Sequence, residues 1–112
     1  MYEYEALVVR VIDADSIVVD LDYGFDEWKH NLHVRLAGID APERWTEAGE
    51  IARTYVAELL PAGTKVVIQS EQYNRSDKYG RCLATILLED GQSLKEMLFA
   101  NGHGVPYFGG KR

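Results

Sequence analysis

Leu32, Val34 and Leu36 alternate with His33, Arg35 and Ala37, and this period of two marks a β-strand with two different faces. A few residues on, the period changes. Ala48, Ile51, Ala52, Tyr55, Val56, Leu59 and Leu60 recur at i, i+3 and i+4, which lays them along one stripe of an α-helix. Glu47 and Glu50 suit the positive end of its dipole, and Pro61-Ala62-Gly63 ends it. A two-faced strand followed by an amphipathic helix is the unit around which the rest of the chain is read.

Upstream, residues 7–21 are rich in β-branched side chains and are interrupted at Asp13-Ala14-Asp15, which predicts two strands joined through a tight acidic turn. Residues 24–30 read as a polar hairpin loop. Downstream, residues 65–70 and 82–88 read as two further strands, and the polar connection between them is long enough to be a working loop. Asp90-Gly91 is a turn signal. Ser93 with Glu96 forms a capping box that opens a second helix carrying Leu94, Met97 and Leu98, which Gly102 stops. Five strands, with one helix after the third and another after the fifth, follow the order of an oligonucleotide-binding (OB-fold) barrel, an α+β but mainly β architecture. A meander packed against helices in another topology is the alternative.

At 112 residues the chain is sized for one domain, taken as 1–112. Its 46% hydrophobic and 27% charged residues are in globular balance and exclude a disordered chain. Cys82 is the sole cysteine, so no internal disulfide forms, and a buried structural thiol is expected. The first residues lack the basic and apolar regions of a secretory signal, and no window approaches a membrane span. A cytoplasmic protein, monomeric and with no membrane partner, is the expectation, and a phage or plasmid setting would suit its size. The net charge of −6 is unevenly spread: residues 1–60 hold 5 Lys/Arg against 13 Asp/Glu (−8), and residues 61–112 hold 7 against 5 (+2). The acidic half suits a cation and the remainder an anion.

Asp13 and Asp15 lie in the first turn, Asp40 follows the third strand, and Glu43 follows Pro42. Hard cations take oxygen ligands, so two aspartates, a backbone carbonyl and waters would make a sensible site. Aspartate is also a favoured turn residue that bonds its own backbone. Arg35 faces away from Leu32, Val34 and Leu36, and its guanidinium is shaped for a bidentate phosphate or carboxylate, with a salt bridge to an acidic neighbour as the competing reading. The run Asp77-Lys78-Tyr79-Gly80-Arg81 offers two cations and a phenol to phosphates and bases, or is simply a solvated loop. Tyr107 and Phe108 form a stacking platform or close the core. His30, His33 and His103 show no metal-ligand spacing.

Taken together, Val11-Ile12-Asp13-Ala14-Asp15-Ser16, Val34-Arg35-Leu36-Ala37-Gly38-Ile39-Asp40-Ala41-Pro42-Glu43 and Asp77-Lys78-Tyr79-Gly80-Arg81 resemble, in order, the three signatures of the staphylococcal (micrococcal) nuclease family. The resemblance implies a calcium-dependent nuclease acting on DNA or RNA and leaving 3′-phosphate and 5′-hydroxyl ends. It implies that Asp15 and Asp40 ligate Ca²⁺, for which Mg²⁺ or Mn²⁺ are the candidate substitutes, and that Ala41 adds its backbone carbonyl. Asp13 would stand in the outer shell. Glu43 would orient and deprotonate the attacking water, Arg35 and Arg81 would grip the scissile phosphate, Lys78 and Tyr79 would contact a neighbouring phosphate, and Tyr107 would line the nucleotide pocket.

Ala14, Ser16 and Ala41 depart from the family's usual glycine, threonine and threonine. The segment after Arg44 is shorter than in the secreted prototype, and the expectation is a fold without the prototype's third, C-terminal helix. An acidic chain would neutralise few phosphates, so metal-free binding should be weak and only shallowly dependent on salt. The rival readings are a non-catalytic nucleic-acid- or protein-binding module, and a barrel whose acidic turn holds a cation for stability while Arg35 and Arg81 pair with carboxylates.

Overall fold

The computed structural model describes residues 2–70 and 81–107. Five strands, β1 (Tyr2–Asp13), β2 (Ser16–Gly24), β3 (Glu27–Leu36), β5 (Lys65–Ser70) and β6 (Cys82–Leu88), close into a barrel in the order β1-β2-β3-β6-β5. Between β3 and β5 lie a two-residue strand β4 (Ile39–Asp40) and helix α1 (Glu47–Leu59); helix α2 (Leu94–Ala100) and a second short strand β7 (Val105–Pro106) follow β6. The OB-type barrel with two helices is the architecture expected from the pattern. The β4–β7 pair was not foreseen: two residues are too few to show a period.

Closure depends on one parallel ladder, Val34↔Cys82, Arg35↔Leu83 and Leu36↔Ala84, and every other barrel pairing is antiparallel. Parallel neighbours need a long crossover, which here runs through α1 and β5. The barrel is filled by inward residues at alternate positions, Val8, Ile17, Val19, Val34, Leu36, Ile68 and Ile86, and Ala52 and Val56 of α1 and Leu94 and Leu98 of α2 belong to the same core. Burying a Val, Leu or Ile fully contributes about 1.5–3 kcal/mol each, so the core outweighs any single polar contact in holding the barrel.

Two expectations are corrected. Residues 24–30 are not a loop: Gly24 pairs with Glu27, and only Phe25 and Asp26 turn the chain, both at positive φ (56° and 61°). That is the twist a two-residue hairpin requires. Its usual Asn-Gly signature is absent, and the strand residues that follow are polar because they are exposed. On α1, Ala52, Val56 and the capping Leu60 are buried as the stripe predicts, but Ala48 is exposed and Ile51 is 54% exposed. The helix meets the barrel along a narrower seam than its apolar count suggests.

Both helix starts are capped, α2 by the Ser93 read from the sequence and α1 by Thr46, which was not foreseen. Thr46 Oγ1 accepts from the Gly49 N–H at 3.0 Å, and Ser93 Oγ accepts from the Glu96 N–H at 3.4 Å. Cys82 is half-buried rather than fully so.

Candidate active site

The turn between β1 and β2 delivers Asp15 inward, leaving it 8% exposed. Its backbone carbonyl accepts from Leu36 N–H at 2.9 Å, which locks the turn to the end of β3. Its carboxylate is also held: Oδ2 accepts from the Ala41 N–H at 2.9 Å, and the Ser16 hydroxyl lies 3.4 Å from Oδ1. Distant segments of sequence are thereby joined at one side chain.

Arg35, 9% exposed, stands at the centre of the cluster. Nη1 donates to the carbonyls of Leu36 and Ile39, each at 2.7 Å, and lies 3.5 Å from Asp15 Oδ2. Nη2 donates to Asp40 Oδ1 at 3.2 Å. The guanidinium therefore has an opposite charge on each side, which offsets the cost of burying it. A guanidinium carries five N–H donors, so Nε–H and one Nη2 hydrogen are left for another acceptor. Its carbon lies 5.8 Å from the centre of the Tyr107 ring, within range of a cation–π contact.

Asp40 is positioned by the β4–β7 ladder, in which it pairs with Val105 and Ile39 with Pro106. The Tyr107 N–H donates to the Gly38 carbonyl at 3.0 Å, and Gly38 makes the preceding bend at φ +81°. One short patch thus sets both Asp40 and Tyr107.

Glu43 is exposed, and its backbone carbonyl is clamped, accepting from the Thr46 N–H at 3.0 Å and the Thr46 hydroxyl at 2.6 Å. Gly49 packs so closely that a Cβ there would stand 1.8 Å from the Glu43 carbonyl oxygen. The Glu43 carboxylate is carried on a rigid tight turn with no hydrogen-bond partner among the described residues. Asp13 is half-buried and forms an ion pair with Arg44, Nε to Oδ1 at 3.7 Å. Arg81 stands directly before β6, two residues ahead of Leu83, the ladder partner of Arg35, so the two-residue period places it on that partner's face.

Asp15, Asp40, Arg35 and Tyr107 are thus brought together, with Ala41 bonded to Asp15. Lys78 and Tyr79 lie outside the described residues, as does Phe108. The Leu36 and Ile39 carbonyls that hold Arg35 escape a sequence reading because backbone atoms have no residue type. The Thr46 clamp was legible in principle, as a threonine three residues before Gly49. Burial raises the Cys82 thiol above its ordinary value, with the charge of Lys29 opposing, so it is a poor nucleophile.

No group of three or more Asp, Glu, His or Cys side chains suited to a metal converges among the described residues. The donors present are two carboxylates flanking one cation, with backbone carbonyls close by. That set fits a hard divalent ion and not a soft thiolate or imidazole centre.

Residues 33–111 match the family model described as staphylococcal nuclease homologue. The chain is 27% identical to endonuclease YhcR of Bacillus subtilis, over 95% of this chain and 9% of that protein. It is 34% identical to an uncharacterized endonuclease of Escherichia coli O157:H7, over 89% of this chain and 59% of the other. With the thermonuclease of Staphylococcus intermedius the identity is 37%, over 75% of this chain and 49% of that one. The chain therefore spans from about a tenth to just under three fifths of the length of these relatives.

Proposed function

The chain belongs to the staphylococcal nuclease homologue family, and from that premise we propose that it is a calcium-dependent nuclease that hydrolyses phosphodiesters of DNA or RNA to 3′-phosphate and 5′-hydroxyl ends. The observation that carries this reading is the convergence of Asp15 and Asp40 on the buried Arg35. A cation and two carboxylates held this close suit both a metal and the phosphate it would face.

A phosphodiester resists attack because its anionic oxygens repel a nucleophile, and attack builds further charge on them. Asp15, Asp40 and the Ala41 carbonyl would hold Ca²⁺, which supplies Lewis-acid neutralisation of that charge. Arg35 offers its two uncommitted N–H donors to a phosphate oxygen, and because its other donors are tied to Leu36, Ile39 and Asp40, it does so without reorienting. Arg81, the residue before β6, would add a second guanidinium to the phosphate. Glu43, fixed by Thr46 and Gly49, orients a water and takes its proton as the water oxygen bonds to phosphorus. The P–O5′ bond then breaks and the departing 5′ oxygen takes up a proton. Lys78, Tyr79 and Tyr107 serve substrate binding in this reading, and Asp13 tunes the acidic turn from the outer shell.

The test is cleavage of a fluorescent single-stranded DNA oligonucleotide in Ca²⁺ and in EDTA by the wild type, Glu43→Ala and Arg81→Ala. Cutting should require Ca²⁺ and fall about 100- to 1,000-fold in each variant, the usual cost of losing one preorganised group. Absence of cutting with any divalent cation would refute the enzyme and leave the binding module.

A further inference from the structure

Trp45 is 82% exposed, two residues after Glu43, and among the described residues it makes no ring or hydrogen-bond contact. It closes no core. The residues on either side of it, however, are held at several points. The Ala41 N–H bonds Asp15, Arg44 pairs with Asp13, and the Glu43 carbonyl is clamped by Thr46 against Gly49. The segment from Ala41 to Thr46 is thus fastened to the acidic turn and to the start of α1, and the indole projects from its edge. The other tryptophan, Trp28, differs: it lies on the β2–β3 hairpin with its ring stacked on His30, 6.4 Å between centroids and 9° between planes.

Charge makes a second point. A net charge of −6 makes long-range attraction of a polyanion weak, so contacts to the bases add usefully to the few phosphate contacts that the site supplies. Base stacking meets that need and is tolerant of sequence, because every base has a π-face. We propose that Trp45 is the platform on which an unpaired base of the substrate stacks beside the site, and this rests on the nuclease reading above. In a duplex each base is already sandwiched by its neighbours. The indole therefore engages unpaired bases, and an intact duplex offers it none.

The test has a kinetic and a binding arm. On a single-stranded oligonucleotide in Ca²⁺, Trp45→Ala should raise KM roughly 5- to 150-fold, the factor carried by one base–aromatic stack. Its kcat should stay within roughly twofold, the signature of lost uniform binding. Trp45→Phe should recover most of the loss, and Trp28→Phe should change neither constant. In the binding arm, a Trp28→Phe, Glu43→Gln double variant in Ca²⁺ reports through Trp45 alone. Its fluorescence should be quenched saturably by an eight-residue oligothymidylate and not by the matching duplex. An unchanged KM in Trp45→Ala with an active wild type overturns the proposal and leaves the nuclease reading standing. No cutting by any protein, with quenching retained, refutes the nuclease reading and supports the stacking. Absence of quenching, or equal quenching by duplex, overturns the proposal whatever the kinetics.

Discussion

Replacing Arg35 with Met keeps the stem of the side chain and removes its charge and donors, so it isolates what the guanidinium holds together. Asp15 and Arg35 are each close to one tenth exposed, and the Leu36 and Ile39 carbonyls each accept from Nη1 at 2.7 Å. Leaving a buried partner uncompensated costs about 3–5 kcal/mol when one member of a buried pair is removed. At about 4 °C per kcal/mol for a chain of this size, the melting temperature should drop roughly 12–20 °C. The assay is urea denaturation followed by circular dichroism, with the slope compared between proteins so that a change in midpoint can be read as stability. An Asp15→Asn, Arg35→Met double variant should recover part of the loss, because the more deeply buried of the two carboxylates has lost its charge, while Asp40 and the two carbonyls keep no guanidinium partner. A loss below about 1 kcal/mol in the single variant, the range of an exposed pair, would refute the argument that this cluster is buried and mutually dependent.

Further outcomes follow from other parts of the structure. Gly49→Ala removes a poor helix former, a change worth about 1 kcal/mol of gain in an open helix; here the Cβ meets the Glu43 carbonyl, so the melting temperature should fall and cleavage with it. Thr46→Ala should cost about 1 kcal/mol by loss of the α1 cap, measured in the same urea titration, and should lower kcat by loosening the Glu43 turn. Burial holds the folded Cys82 thiol above its ordinary value of 9.0, so its contribution to stability is fully present below the unfolded pKa and is lost as pH rises through the folded one. Cys82→Ala should therefore flatten the decline in stability above pH ~9, and iodoacetamide should label native wild type more slowly than urea-unfolded protein.

Much of the barrel was legible because its strands alternate, α1 carries an apolar stripe and α2 a cap. Ser93 with Glu96, and the period change between Leu36 and Ala48, each report a local decision made by the backbone and its nearest neighbours. The misreadings arose where tertiary context decides. Residues 24–30 look like a loop because most of them are polar, yet Glu27, Trp28 and Lys29 extend β3 because β2 pairs with them. Ile51 looks buried because it is apolar at helical spacing, yet it stands outside the seam that Ala52 and Val56 bury against the barrel. In the candidate site, aspartates and an arginine in order were visible as residue types. Their mutual positions were not, because these depend on carbonyl oxygens of Leu36 and Ile39 and on the pairing of β4 with a strand near the other end of the chain.

That pairing has a consequence for biosynthesis. Asp40 takes its register from Val105, and Gly38 is tied to Tyr107, so residues made early are aligned by residues made late. The residues through Tyr107 must leave the ribosome before the two sides of the patch meet. A nascent chain can hold all the barrel strands and still lack the ladder that sets Asp40, so assembly of the site is deferred until translation has passed Tyr107.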